Sequence, residues 1–306
     1  MRNGARLEIL RQRSRLLTAI RGFFLQNGFI EVETPVRLPA PALERYIDAI
    51  PAGDWYLRTS PELHMKRLLA DGVAPIFQMG PCFRAGEHGT RHRTEFTMLE
   101  WYRTGADYLD ILADTEALVR QAARALRGKE GAMPSGGVDV DAPWLRLTVS
   151  EAYQRYAGWD PVAAFDADRF DLDMVNLVEP ALPRDRGVVL IDYPAEVAAL
   201  ARRCPADPRV AERWELYLGG LEIANAFSEL TDPAEQRQRF ETCALERAAD
   251  GSEVYPLDRA FLAALEEQGL PPCGGIALGV DRLLMVLTGT ADIGEVTAFG
   301  GEAGAA

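Results

Sequence analysis

Residues 83–103, FRAGEHGTRHRTEFTMLEWYR, carry the pattern that decides the fold. An apolar run ends at Arg84, a charged loop with His88 and His92 follows, and TEFTMLEWYR resumes as a strand. Period two puts Phe96, Met98, Glu100 and Tyr102 on one face and Glu95, Thr97, Leu99 and Trp101 on the other. Both faces mix polar with apolar residues, so both are expected to be covered. A covered carboxylate needs a cation, from the protein or from a ligand. The loop supplies Arg84, Arg91 and Arg93, whose planar forks suit phosphate or carboxylate oxygens. The same residues also suit a solvated hairpin tip.

Working outward, APIFQMGPCFR is the strand that pairs with this one, so residues 74–103 form strand, loop, strand. Leu7, Leu10, Leu16, Leu17, Ile20, Phe23 and Phe24 recur at helical spacing, and Asn27-Gly28 ends that helix. FIEVETP is a strand that stops at Thr34, because Pro35 has no amide for a ladder. WYLRT reads as a strand and SPELHMKRLLAD as a helix, with Ser60 at the N-cap and Pro61 in the first turn. Residues 107–127 are helical, and GKEGAMPSGGVDVDAP (128–143) reads as a flexible connection. Residues 147–210 give helical pieces and one apolar strand, VVLIDYP. A hairpin, RWELYL-Gly219-Gly220-LEIANAF, comes next, then helices over 232–248 and 258–268. GGIALGVDRLLMVLTG closes the pattern as a strand running into a helix. Strands that arrive as adjacent pairs rather than in βαβ alternation predict an α+β fold, a mostly antiparallel sheet flanked by helices, in one domain over 1–306.

Composition narrows the function. With 33 Lys+Arg against 46 Asp+Glu, the net charge of −13 argues against a broad, sequence-independent grip on nucleic acid. Cys82, Cys204, Cys243 and Cys273 lie far apart without CxxC spacing, so neither a zinc knuckle nor a disulfide framework is suggested. The chain shows no secretory h-region and no apolar run long enough for a membrane helix, which leaves the cytoplasm as the expected compartment.

The hairpin geometry follows from its turn. A two-residue Gly219-Gly220 turn pairs Leu218 with Leu221, Tyr217 with Glu222 and Leu216 with Ile223. Glu215 and Glu222 are then diagonal neighbours with Cβ atoms roughly 7 Å apart, close enough to share a hard cation. A solvated polar face is the alternative. This register puts Glu229 on the opposite face from Glu222, so a bulge after Ala226 is needed if both serve one site. Gly279 permits close approach of a flat ligand, and Arg282 stands in the first helical turn after it. Glu62, behind the Ser60-Pro61 cap, also suits the helix dipole.

These stretches together resemble the catalytic domain of the class II aminoacyl-tRNA synthetases. The first helix with FIEVETP is similar to that class's dimer-forming first motif, FRAGEHGTRHRTEFTMLEWYR to its second and GGIALGVDRLLMVL to its third. TSPELHMKRLL, EFTMLEWYR and GGLEIANAFSELTD are similar to the lysine-specific enzymes. The chain starts at the catalytic domain, without an anticodon-binding OB-fold, and has Ala277 where the tRNA-charging enzymes usually carry glycine. In both respects it resembles the truncated paralogues that attach lysine, preferably (R)-β-lysine, to a lysine side chain of elongation factor P.

The resemblance implies ATP and Mg²⁺ as cofactors, a homodimer formed through the first motif, elongation factor P as acceptor in place of tRNA, and no membrane partner. It implies Arg84 on the α-phosphate, Arg282 on the γ-phosphate, Phe96 under adenine, and Glu87, His92, Arg93, Ile223 and Gly279 around the nucleotide. Glu215 and Glu222 would hold Mg²⁺. Ser60, Pro61, Glu62, Glu100, Tyr102, Asn225, Glu229 and Ala277 would form the amino-acid pocket, with Glu62 on the amino group beside the carboxylate and Tyr102 and Glu229 on the terminal ammonium. The pattern departs from the family at Gly86, where an acidic residue is usual, and at Arg93-Thr94, where Asn-Pro is usual.

Overall fold

In the computed structural model, which describes residues 3–127 and 137–300, the first apolar stripe forms α1 (Asn3–Gln26), stopped by Gly28 at φ 79°. The short strand β1 (Ile30–Glu31) leads to a small three-stranded sheet of β2 (Arg37–Leu38), β3 (Pro51–Ala52) and β4 (Trp55–Leu57). Next come α2 (Glu62–Ala70), β5 (Ile76–Phe83), β6 (Glu95–Thr104) and α3 (Tyr108–Arg127). After residue 136 the chain adds β7 (Leu145–Thr148), α4 (Val149–Tyr156), α5 (Ala167–Asp173), α6 (Glu179–Ala181) and β8 (Gly187–Pro194). The hairpin β9 (Val210–Leu218) and β10 (Leu221–Ser228) precedes α7 (Pro233–Ala249) and α8 (Arg259–Glu267), and β11 (Cys273–Gly279) runs into α9 (Val280–Thr288).

Eight strands form one sheet in the order β1-β5-β6-β11-β10-β9-β8-β7. All neighbours are antiparallel except the two edge pairs, β1 with β5 and β7 with β8. The α+β, mostly antiparallel expectation holds. One face of the sheet is sealed by α1, α3 and α9 over Phe77, Leu99, Trp101, Trp214 and Leu278. Phe24 sits at the centre of that layer, fully buried, stacked on Phe77 at 4.6 Å and against Trp101 at 5.1 Å. Arg13 of α1 reaches across it, 2.5 Å from Asp281 of α9 and 2.8 Å from Thr97 Oγ1, while Asp281 accepts the Thr97 amide. One buried ion pair therefore ties together the three stretches that carry the resemblance. On the other face, α2, α7 and α8 close one end and α4 with α5 the other, leaving the middle open.

Gly219 and Gly220 adopt φ of 62° and 80°, the left-handed pair that a tight two-residue hairpin requires. Leu218 pairs with Leu221 and Tyr217 with Glu222 as expected, but Leu216 pairs with Ala224 rather than with Ile223. The bulge falls between Glu222 and Ala224, upstream of the position that the hairpin geometry suggested. Of the stretch read as a flexible connection, 128–136 lie outside the described residues, and its remainder packs, with Val138 and Val140 buried and Val140 O accepting from Trp144 Nε1. Among the described residues no helix is long and apolar enough to cross a membrane.

Replacing Phe24 with alanine removes the keystone of the sealed face and is expected to lower the unfolding free energy by about 3–5 kcal/mol, read from urea denaturation. A loss below about 1 kcal/mol would show that this aromatic cluster is not the main core.

Candidate active site

The open face of the sheet floors a cavity of about 1030 Å³. Register decides what stands on it. Gln78, Glu100, Ala277, Asn225, Glu215 and Leu190 are successive partners across six strands, so they form one row. The next row is Ile76, Tyr102, Gly275, Phe227 and Arg213. The bulge at Ile223 brings Glu222, opposite Tyr217, onto the same face as Asn225, Phe227 and Glu229. A plain ladder would have turned Asn225 and Glu229 into the sealed core.

At one end three carboxylates surround one lysine. Lys66 Nζ, fully buried on α2, lies 2.5 Å from Glu62 Oε1 one turn earlier and 2.5 Å from Glu229 Oε2. Glu100, 1% exposed, accepts from Ser60 Oγ at 2.7 Å and Tyr102 Oη at 2.9 Å. Burial, then the nearby Glu62 charge, push Glu100 up to about 8 against those two hydrogen bonds. Burial likewise raises Glu229, with Lys66 opposing. Burial pulls Lys66 down, but the charges of Glu229 and Glu62 outweigh it and hold the ammonium well above its ordinary value. Three acids against one cation leave this end short of positive charge. A Cβ at Gly275 would come within 2.2 Å of Glu229 Oε1 and 2.3 Å of Tyr102, so glycine there lets both side chains meet the cavity.

The other end is cationic. Arg84 lies 5.3 Å over the Phe96 ring with its Nε buried and unpartnered, and a weak contact of 3.6 Å to Glu87. A base stacked on Phe96 would therefore take the ring's other face. Arg282 donates to the carbonyls of Glu222 at 2.9 Å and Arg91 at 3.2 Å, and stands 2.6 Å from His92 Nε2. The Arg282 guanidinium can only donate, so His92 Nε2 accepts, and burial and the Arg282 charge lower the His92 pKa. A Cβ at Gly279 would meet only ordinary contacts at 3.8 Å, so protein packing does not demand glycine there. Ile223 and Ala277 line the same wall.

For a metal the two hairpin acids differ. Glu215 accepts from Tyr193 at 2.6 Å, Tyr217 at 2.8 Å and Arg213 at 2.6 Å, leaving one of its roughly four lone-pair positions. Among the described residues Glu222 has only the 3.6 Å contact with Arg282, and its side chain keeps 43% of its surface open. Cavity burial and the Glu215 charge raise its pKa. No group of three or more potential metal-ligating side chains occurs among the described residues, so a cation here would complete its shell from phosphate oxygens.

Most of the expected residues meet in the cavity, but not all as expected. Pro61 is not part of the lining and instead caps α2 through its carbonyl, while the Ser60 hydroxyl accepts the Glu62 amide at 2.9 Å. Arg93 reaches Thr297 at 3.3 Å, and Glu95 is exposed rather than covered. Sequence reading missed Lys66, although its (i, i+4) spacing from Glu62 was visible. It also missed Arg213 and Tyr217, which flank Glu215 two residues away on β9, and Tyr193, which the pairing of β8 with β9 brings to it.

Residues 1–303 match the family model described as tRNA synthetases class II (D, K and N), and the chain belongs to that family. It is a ligase of the class II synthetase type, a class that works with ATP and Mg²⁺. Among its relatives is the elongation factor P--(R)-beta-lysine ligase of Pectobacterium atrosepticum, 40% identical over 311 residues that cover 95% of this chain and 94% of the relative. The corresponding ligase of Klebsiella pneumoniae subsp. pneumoniae is 38% identical over 95% and 94% of the two chains. The lysine--tRNA ligase of Moorella thermoacetica is 39% identical over 94% of this chain, which spans 64% of that relative's length.

A cationic ligand favours ionised Glu100, so its affinity should rise with pH by up to roughly tenfold per unit until about pH 8 and then level off. Calorimetry with lysine checks this through proton release, and a constant affinity between pH 6 and 8 would contradict it. Glu229→Gln should weaken amino-acid-dependent pyrophosphate exchange by about 2–5 kcal/mol in transition-state terms while ATP binding is spared. Equal loss of both would place the ammonium contact elsewhere.

Proposed function

We propose that this protein activates lysine or (R)-β-lysine with ATP as an aminoacyl adenylate and transfers it to a lysine side chain of elongation factor P. The observation that carries the reading is the charge balance of the cavity: Glu62, Glu100 and Glu229 against Lys66 alone, facing Arg84 and Arg282. An amino acid with two ammonium groups neutralises the first end while its carboxylate lies toward the second, where a polyphosphate is at home.

The chain's own groups then act by positioning and charge. Glu62 takes the amino group near the carboxylate, and Glu229 with Tyr102 takes the terminal ammonium. Glu100, Ser60, Asn225 and Ala277 shape the pocket between them. The substrate carboxylate attacks the α-phosphate in line, Arg84 stabilises the charge that develops there, and Arg282 with His92 holds the departing pyrophosphate. Glu87, Arg93, Phe96, Ile223 and Gly279 border the nucleotide. Glu222, with the remaining lone pair of Glu215, would hold Mg²⁺, which when bound supplies neutralisation of the phosphate charge. The acceptor amine then displaces AMP.

Two further observations support the setting. The match to elongation factor P ligases runs over 94% of the relatives' length. Leu7, Leu25 and Ile30 stand exposed on α1 and β1, where a homodimer through the first motif would cover them. A cytoplasmic location accords with these substrates. The lysine--tRNA ligase relatives favour a second reading, in which tRNA is the acceptor.

The test offers purified enzyme ATP, Mg²⁺ and labelled lysine or (R)-β-lysine, with elongation factor P and tRNA side by side. Label is expected on elongation factor P. Label on tRNA alone would establish the second reading, and absence of adenylate would remove both.

A further inference from the structure

The wall of the cavity over the reacting centre is a loop, residues 43–48, held rigidly from behind. Arg247 of α7, 0% exposed, donates to the carbonyls of Glu44 at 2.7 Å, Arg45 at 3.0 Å and Ile47 at 3.1 Å, and pairs with Asp48 at 2.6 Å. The Asp48 carbonyl in turn accepts the Ala85 amide at 2.7 Å, locking the loop to the residue after Arg84. This clamp points the Glu44 side chain into the cavity.

Glu44 differs from the acids there that the fold pairs. Glu62 and Glu229 share Lys66, Glu100 has Ser60 and Tyr102, and Glu215 has Arg213 and two tyrosines. Among the described residues the Glu44 carboxylate has neither a hydrogen-bond donor nor an ion-pair partner. The charged groups that face it are Arg84 and Glu87 from the loop after β5, Glu62 from α2 and Arg213 from β9; Arg45 and Asp48 belong to its own loop. It therefore shares the cavity with, and feels the charge of, both Arg84 and Glu62, the residues that the proposed function puts on the α-phosphate and on the neighbouring amine.

That position answers a need that the activation step does not have. An acceptor lysine arrives as an ammonium and has no lone pair until a proton leaves it. We propose that Glu44 receives the acceptor ammonium and acts as the general base of the transfer step, an inference that rests on the acceptor being a primary amine. One proton passes to Glu44, the freed lone pair attacks the acyl carbon, and the C–N bond forms. The bond from that carbon to the phosphate oxygen then breaks, one of the two protons remaining on nitrogen leaves with AMP, and the other stays as the amide N–H. Burial raises the Glu44 pKa, which brings the base nearer to the amine it must deprotonate.

The test compares wild type with Glu44→Gln in three assays: lysine-dependent pyrophosphate exchange, hydroxamate formation with hydroxylamine, which is neutral at physiological pH, and amide formation with N-acetyl-lysinamide. Exchange and hydroxamate formation are expected to persist. Amide formation is expected to fall roughly 10²-fold or more, with its pH profile moving up to follow the ionisation of the amine. Parallel loss of exchange would overturn the proposal by placing Glu44 in activation, and unchanged amide formation would overturn it directly. Wild-type enzyme that exchanges pyrophosphate but makes no amide with either N-acetyl-lysinamide or elongation factor P would instead remove the acceptor reading, and the inference with it.

Discussion

Everything on the open face depends on one constraint, the pleat of the antiparallel sheet. Side chains alternate faces with period two, so a single extra residue in a strand reverses everything after it. The bulge at Ile223 is that residue. Before it, Glu222 already faces the cavity; after it, Asn225, Phe227 and Glu229 do so too. Without it the carboxylate that pairs with Lys66 would enter the apolar layer under α1, α3 and α9, away from Lys66. The six-strand row from Gln78 to Leu190 converts that local feature into a site by aligning residues from distant parts of the chain.

The second organising force is electrostatic. Buried carboxylates persist only when something compensates for lost hydration. Lys66 does so for two of them and two hydroxyls do so for Glu100, but the compensation stops short of neutrality. The same folded protein leaves Arg84, in the same cavity, with a buried Nε that has no partner among the described residues. An unsatisfied anionic end and an unsatisfied cationic end within one cavity describe a ligand of the opposite polarity, an amino acid rich in ammonium joined to a phosphate. Stability is given up at both ends for the sake of binding.

Much of this was legible in the sequence. Helical periodicity in 5–27, the strand pair around the charged loop, the Gly-Gly hairpin and the strand-to-helix run at 273–288 all appear where the patterns placed them. These signals are local, arising from the turn, the cap and the alternation of apolar residues. Arg84, Glu100, Glu222 and Arg282 stood out because charge in an apolar context is costly enough to need a reason. One derivation from local geometry and one implication of the resemblance misplaced details: Ile223 does not pair with Leu216, and Pro61 caps a helix without lining the cavity.

By itself, then, the sequence determined the main elements, the antiparallel class and the charged residues that line the cavity, because propensity and hydrophobic period act over a few residues. Only the tertiary structure decided which charges face each other. It placed the bulge at Ile223, gave Lys66 to Glu229 as well as to Glu62, brought Tyr193 to Glu215, and, among the described residues, left Glu44 without a partner. The pairs Lys66 with Glu229 and Tyr193 with Glu215 join separate elements of the chain, and Coulomb and hydrogen-bond energies depend on distance in space, which strand register sets and linear spacing does not.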